Sequence, residues 1–294
     1  MDDECKIEAD VQPSQPTPRS LILDLLSTVA GHAVPVRALV AAAALFGIQE
    51  NGLRVALARL LAAGRVARDE RGQYRLAPGA VLSHLLGWRR LEERTSAWSG
   101  GWYAVHTAAL PRRPGRSLRE RALRFLGFRS LLPGLELRPA NLREGLPALR
   151  GGLVALGLER EAPVFELAGL DPDSDARARA LWDAAALLRR YRELERALAG
   201  SAARLSALPL AAARAESFRL GGAAIRQLAL DPLLPEALAP AAPRRALVAR
   251  MRSYDRLGRA LWRGWLGESG SAPLALPVHG AADLGARESI RRIA

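Results

Sequence analysis

The chain is almost without lysine and cysteine. Lys6 is the only lysine and Cys5 the only cysteine among 294 residues. A single cysteine rules out an intrachain disulfide framework, which suits a reducing compartment. The four histidines, His32, His84, His106 and His279, are scattered, and with one cysteine they offer no zinc-ligand spacing. No apolar run reaches the roughly 18 residues a membrane helix needs, and the acidic N-terminus is unlike a signal peptide. The expectation is a soluble, cytoplasmic protein. The Gly-x-Ser-x-Gly elbow, the Walker loop and the dinucleotide fingerprint are also missing. Most carboxylates lie beside arginines on amphipathic stretches, the ordinary setting of solvated ion pairs. No catalytic residue, no metal and no cofactor is therefore expected, and the chain reads as a non-enzyme.

What is abundant is arginine. The formal net charge is +13 and the isoelectric point about 11.2, with 49% hydrophobic and 25% charged residues. Such a chain can bury a sizeable core, and its length suggests two or three domains of about 100–150 residues. The charge points to a polyanionic partner, nucleic acid before an anionic membrane surface. Arginine, alanine and leucine together are also what a GC-rich genome yields, so composition alone carries little weight.

The chain is organised around Phe46 to Gly64, FGIQENGLRVALARLLAAG, a short turn followed by an amphipathic helix. At the 3.6-residue period Leu53, Leu57, Leu60 and Leu61 form one face. Asn51, Val55, Arg59 and Ala62 fall opposite, with Arg54 on the flank. A leucine-spined helix with a short, polar, basic outer face can enter a DNA major groove. An apolar helix, Val36 to Leu45, precedes it. Arg65 to Leu76 follows as strand, glycine-containing turn and strand, with arginines along the hairpin. Helix, helix, turn, helix, basic hairpin is the order of a winged helix-turn-helix. An alanine–leucine–arginine helix by itself is more often a core helix with a solvated face; the ordered set of elements raises DNA binding above that reading.

In chain order, residues 1–18 are polar and proline-bearing and read as a disordered tail, and residues 19–79 as the winged helix-turn-helix, opened by a helix from Leu21 to Val29 that Ser20 would cap. A linker helix occupies part of residues 80–97. Residues 98–170 alternate strand and helix: Trp102 to Leu110 as strand, Ser117 to Phe125 as helix, Arg129 to Arg138 as a strand pair bent at Pro133-Gly134, Asn141 to Leu149 as helix, then Leu153 to Leu158 and Ala162 to Ala168 as strands. This order suggests a small ferredoxin-like unit. Residues 171–267 read as a helical C-terminal domain, with one long helix from Asp175 to Leu198, a second from about Ala211 to Ala229, and a last from Pro243 to about Trp265. Residues 268–294 read as a tail. The fold class is α+β and helix-rich.

These stretches together resemble the PaaX family of bacterial repressors of phenylacetic acid degradation. LFGIQENGLRVALARLLAAGRV resembles that family's helix-turn-helix and GQYRLAPGA its wing exit. GGWYAVHTAAL, LRFLGFRSLLPGLELRPANL and LVALGLE resemble its middle domain, and ESFRLGGAAIRQLALDPLLPEALAP its C-terminal domain, with an Asp-Pro-x-Leu-Pro turn. The resemblance spans roughly residues 19–265. It implies a winged helix-turn-helix head, a middle domain similar to the Cas2 ferredoxin-like fold, a helical C-terminal domain, and a homodimeric repressor released by an aryl-acyl-CoA such as phenylacetyl-CoA.

The expected partner is double-stranded DNA. Asn51, Arg54 and Arg59 would lie at or near base edges, and Arg65, Arg68, Arg71 and Arg75 would meet phosphates or the minor groove. An acyl-CoA effector would need arginines beside an aromatic slot. The candidates are Trp182, Arg189 and Tyr191, then Phe218, Arg219 and Arg226, then Arg252, Tyr254 and Trp262; each aromatic has ordinary core packing as its alternative. The helix from Ala80 to Arg94 and the long helix from Asp175 are the candidate dimer seams. Two other readings compete. A Cas2-like nuclease would need a metal-holding carboxylate on or just after its first strand, and Trp102 to Leu110 has none. A basic scaffold would bind DNA without sequence preference.

Overall fold

A computed structural model describes residues 15–28, 33–77, 87–108 and 116–265. Residues 1–14 and 268–294 of the expected tails and the first part of the linker helix, residues 80–86, lie outside the described residues, while Pro18, expected in the N-terminal tail, opens a helix. The chain divides into two compact units, one of residues 16–77 together with the segment from Arg259 on, the other running from residue 78 to Gly258. The class is α+β and helix-rich, with two small antiparallel sheets.

In the first unit α1 (Pro18–Thr28) is followed by β1 (Val34–Pro35), α2 (Val36–Ala44), α3 (Glu50–Ala62), β2 (Val66–Arg68) and β3 (Gln73–Leu76). Thr17, not Ser20, caps α1: its Oγ1 accepts the Ser20 N–H at 3.1 Å. The helix starts three residues early because Pro18 tolerates a first-turn position, where its missing N–H is not needed. Leu21, Ile22, Leu25 and Leu26 of α1 are buried, as are Leu39 of α2 and Leu53, Leu57 and Leu60 of α3, and α1 packs on α3. Leu61 departs from the expected spine and is 39% exposed. It lies off the buried arc, at the edge that Arg54 shares. The sheet runs β1-β3-β2. Its short first strand is too brief to leave a period-2 signal, and only its pairing of Val34 with Tyr74 reveals it.

The described part of the second unit begins with a 3-10 segment, Gly87–Arg94, kinked at Arg90, where the second half of a regular helix was expected. Trp88 and Leu91 are buried, which three-residue spacing achieves in one tight turn. Then come β4 (Trp102–His106), α4 (Arg116–Phe125), β5 (Arg129–Leu132), β6 (Leu135–Pro139), α5 (Gly145–Leu156) and β7 (Val164–Leu167). The sheet order is β5-β6-β4-β7, all neighbours antiparallel. Strand alternation splits its core in two. Tyr103 and Val105 pack with Leu123, Phe128, Leu149 and Leu153. Trp102, Ala104 and Leu137 face the other way and pack with Ala178, Trp182 and Leu234.

Leu153 to Leu158, expected as a strand, instead ends α5. Leu149 and Leu153, one turn apart, bury the same helical stripe, and Gly157 at φ 116° closes the helix. That helix starts at Gly145 rather than Asn141, because the Asn141 side chain is occupied elsewhere, donating to the Leu233 carbonyl at 2.7 Å. Pro147 falls in the first turn, where no N–H is missed.

The expected single helix from Asp175 to Leu198 is two: α6 (Pro172–Arg179) and α7 (Ala184–Arg204). Each has an aspartate cap, with Asp171 accepting the Ser174 N–H at 2.9 Å and Asp183 the Ala186 N–H at 2.7 Å. Between them Trp182 turns inward and stacks on Trp102, centroids 6.0 Å apart and planes 3° from parallel. Burying that indole is what interrupts the helix. α8 (Leu210–Ala229) and α9 (Ala242–Trp262) are the last helices among the described residues.

Candidate nucleic-acid interface

Two left-handed glycines shape the site. Gly47 (φ 69°) ends α2, with the Ile48 N–H returning to the Ala43 carbonyl at 3.1 Å. Gly64 (φ 63°) ends α3, with the Arg65 N–H bonded to the Leu60 carbonyl at 2.9 Å and the Gly64 N–H to that of Leu61 at 3.0 Å. Both are Schellman closures. They turn the chain sharply, so α3 follows α2 after one short turn and the hairpin follows α3 at once.

On α3, Glu50, Asn51, Arg54, Val55, Ala58, Arg59 and Ala62 are exposed while Leu53, Leu57 and Leu60 are buried. Arg54 is not an idle cation: its guanidinium lies 2.7 Å from Glu50, one turn earlier, with both side chains more than half exposed. Such an exposed pair is worth at most a few tenths of a kcal/mol, so it breaks readily for a better acceptor. On the hairpin, Val66, Ala67 and Arg68 pair with Leu76, Arg75 and Tyr74. Its tip is pinned by Asp69, whose carboxylate accepts the Gln73 N–H at 2.7 Å, and by Gly72 at φ 74°. Arg68 reaches over the Tyr74 ring at 5.8 Å. Arg65, Arg68, Arg71 and Arg75 are all exposed. Between Glu50 and Leu76 six arginines meet three carboxylates, so this surface keeps a net positive charge. All seven residues expected to meet DNA are thus solvent-facing and within one unit.

The residues expected to hold an effector differ in their surroundings. Trp182 is buried against Trp102, its indole N–H donating to the Gly127 carbonyl at 3.3 Å. Tyr191 is buried and donates to Asp231 at 2.5 Å. Tyr254 is buried beside Ser201, which also donates to Glu216 at 2.5 Å. Trp262 belongs to the first unit, stacked edge-on to Trp265 at 5.4 Å. Trp182, Tyr191 and Tyr254 are core, each closing a hydrogen bond that a ligand would have to displace, while Trp262 is half-buried. Phe218 and Arg219 are half-buried, and Arg189, Arg226 and Arg252 are exposed; Arg252 donates to the Arg89 carbonyl.

The Asp-Pro-x-Leu-Pro turn is structural. Asp231 accepts from the Tyr191 hydroxyl and from the Leu233 N–H at 2.7 Å, with Arg244 at 3.8 Å. Burial holds its carboxyl above the usual carboxylate range against these stabilising partners, Arg244 first among them. Arg138, buried, donates to the Leu126 and Pro232 carbonyls, and burial with Arg94 nearby pulls it down to about 9. Leu233 itself sits at φ 55°. Among the described residues no cluster of His, Cys, Asp or Glu is placed to hold a metal ion, and no helix is long and apolar enough to cross a membrane.

The first unit thus carries an exposed, basic face on α3 and the β2–β3 hairpin. Residues 17–79 match the family model described as PaaX-like protein, so the PaaX resemblance holds for the head of this chain. That family is one of transcription regulators. No curated protein matches the chain. A solved structure, the uncharacterized protein Rv0674 from Mycobacterium tuberculosis, is similar at a TM-score of 0.53 and 23% identity over 86% of this chain and 99% of that one; the likeness is one of fold.

The sequence reading did not foresee Glu50 as the partner of Arg54, although the i, i+4 acid–arginine spacing announces it. It also missed Trp265 as a part of the head, for which no local signal exists.

Proposed function

We propose that the protein is a sequence-specific, duplex-DNA-binding transcription regulator. Its residues 16–77 would act as a winged helix-turn-helix, with α3 in the major groove and the β2–β3 hairpin as the wing. The observation that carries this reading is the α3 surface: a short outer face bearing Asn51 and Arg59, flanked by Arg54 and followed at once by four exposed hairpin arginines. Small side chains let the helix approach base edges, and the arginines neutralise phosphates on either side. The match of this segment to a PaaX-like model supports the same reading. The β4–α4–β5–β6–α5–β7 unit has the strand order of a ferredoxin-like, Cas2-like fold. With β4 free of carboxylates, it is read as a spacer and not as a nuclease.

A regulator with one small reading helix gains specificity by pairing two heads on a two-fold site. We therefore read the protein as a homodimeric repressor of a catabolic operon, released by an acyl-CoA thioester. Arg189, Arg219, Arg226 and Arg252 are the arginines proposed for the thioester's phosphates; Trp182, Tyr191 and Tyr254 are buried with hydrogen-bond partners of their own. Selection of bound genomic fragments followed by footprinting tests the reading. A palindromic site protected over two half-sites supports it. Equal affinity for selected and random duplexes overturns it in favour of a non-specific scaffold, and metal-dependent cleavage in favour of a nuclease.

A further inference from the structure

The centre of the α3 face is apolar. At about 100° per residue, the direction opposite Leu53, Leu57 and Leu60 falls within roughly 15° of Val55, with Asn51, Ala58 and Ala62 close by. Arg59 lies about 50° to one side and Arg54 nearly 90° to the other. Val55 is 43% exposed. Its stripe neighbours towards the C-terminus, Ala58 and Ala62, are alanines, so Val55 is the only bulky side chain on the midline after Asn51. A branched apolar group at this position is not part of the buried core, and valine is a poorer helix former than alanine. Flanked on both sides by arginines, the strip is complementary to a groove lined by phosphates with something apolar at its floor.

We propose that Val55 is a specificity-determining residue that reads the 5-methyl group of a thymine in the major groove. This inference rests on the DNA-binding reading above. The 5-methyl is the one apolar group that a base pair presents on that side, and valine's two methyls are suited to it. Asn51 lies one turn before Val55, about 6 Å along the axis, and its amide matches the adenine N6/N7 edge. The thymine recognised by Val55 therefore lies within about two base pairs of the base that Asn51 contacts, the spacing along one strand being ~3.4 Å.

The test replaces thymine by deoxyuridine, one position at a time, in the duplex obtained by selection. Deoxyuridine differs only by the missing methyl. The native chain should lose roughly fourfold in affinity at one thymine per half-site, the worth of one methyl taken out of water. The Val55→Ala variant should bind the thymine duplex correspondingly less well and show no further loss at that position. Val55→Thr, of the same shape but carrying a hydroxyl, should fall between them. Val55 is exposed, so neither variant should unfold the head, and circular dichroism checks this. Specific binding with every thymine replaceable at no cost overturns the inference and leaves the DNA-binding reading standing. A thymine effect that persists unchanged in Val55→Ala assigns the methyl contact to another side chain and overturns it too. Failure to select any duplex removes the DNA-binding reading itself.

Discussion

The indole N–H of Trp265 donates to the backbone carbonyl of Ala38 at 3.1 Å, across 227 residues of chain. Trp265 is 4% exposed, and Trp262 meets it edge-on. A segment beyond the end of α9 is thus a structural part of the unit that carries α3. Ala38 is in α2, the helix that precedes the recognition turn.

Removing that indole should loosen the head selectively. Trp265→Ala is expected to cost about 3–5 kcal/mol, as for other buried large-to-small changes, and Trp265→Phe about 1 kcal/mol through the lost hydrogen bond. Amide exchange should accelerate in α2 and α3 while β4 and β6 stay protected. Unchanged exchange in α2 would show that the contact adds nothing.

Glu50 and Arg54 form a pair that DNA should open. Glu50→Gln frees the guanidinium and removes a carboxylate from a surface facing phosphates, so it should tighten binding to selected duplexes several-fold. Arg59→Ala should weaken binding by about 1–3 kcal/mol and relax the preference at one base pair if it reads a base. Electrophoretic mobility shifts on a panel of single-base operator variants separate the two cases, since uniform weakening marks a phosphate contact.

Tyr191→Phe should act in a pH-dependent manner. The hydroxyl bond to Asp231 lowers that carboxyl, while burial raises it. Without the hydroxyl, the folded-state value rises further above the unfolded one. A raised value contributes stability fully below the unfolded value and loses it as pH rises through the folded value. The variant should therefore be destabilised by about 1–3 kcal/mol near neutrality and by less near pH 4. Urea midpoints at both values check this, and an equal loss at the two would show that Asp231 does not titrate.

Two glycines should respond oppositely to alanine. Gly127 sits at φ 83°, and an added Cβ would come 3.0 Å from the Pro232 Cα. Gly127→Ala should cost about 2–4 kcal/mol from strain and crowding together. Gly151 lies within α5 with open space around it, and Gly151→Ala should stabilise by ~0.5–1 kcal/mol. Thermal unfolding of the two variants gives the signs directly.

Much of the head was legible because its signals are local. The 3.6-residue leucine period placed α3, and glycines at 47, 64 and 72 marked its turns. The candidate DNA-facing residues followed from that same period, since the face opposite a buried spine is exposed wherever the spine is continuous. Leu61 shows the limit: a fourth leucine on the edge of the arc looks the same in sequence whether or not a neighbour covers it. The mistaken strand at Leu153 to Leu158 has a similar cause. A short apolar run satisfies both periods, and only packing of Leu149 and Leu153 on the sheet selects the helix.

The sequence by itself determined the basic surface, the position and outward face of α3, and the alternation of strand and helix after it, because charge, period and turn chemistry act between near neighbours. Tertiary structure alone decided which aromatics are core. Trp182, Tyr191 and Tyr254 share the composition of a ligand slot, but their partners, Gly127, Asp231 and Ser201, are chosen by burial. An indole or phenol can fill a core or line a cavity, and the difference is whether another part of the chain reaches its polar end. No local pattern encodes that, since the atoms that satisfy it lie 40 to 55 residues away.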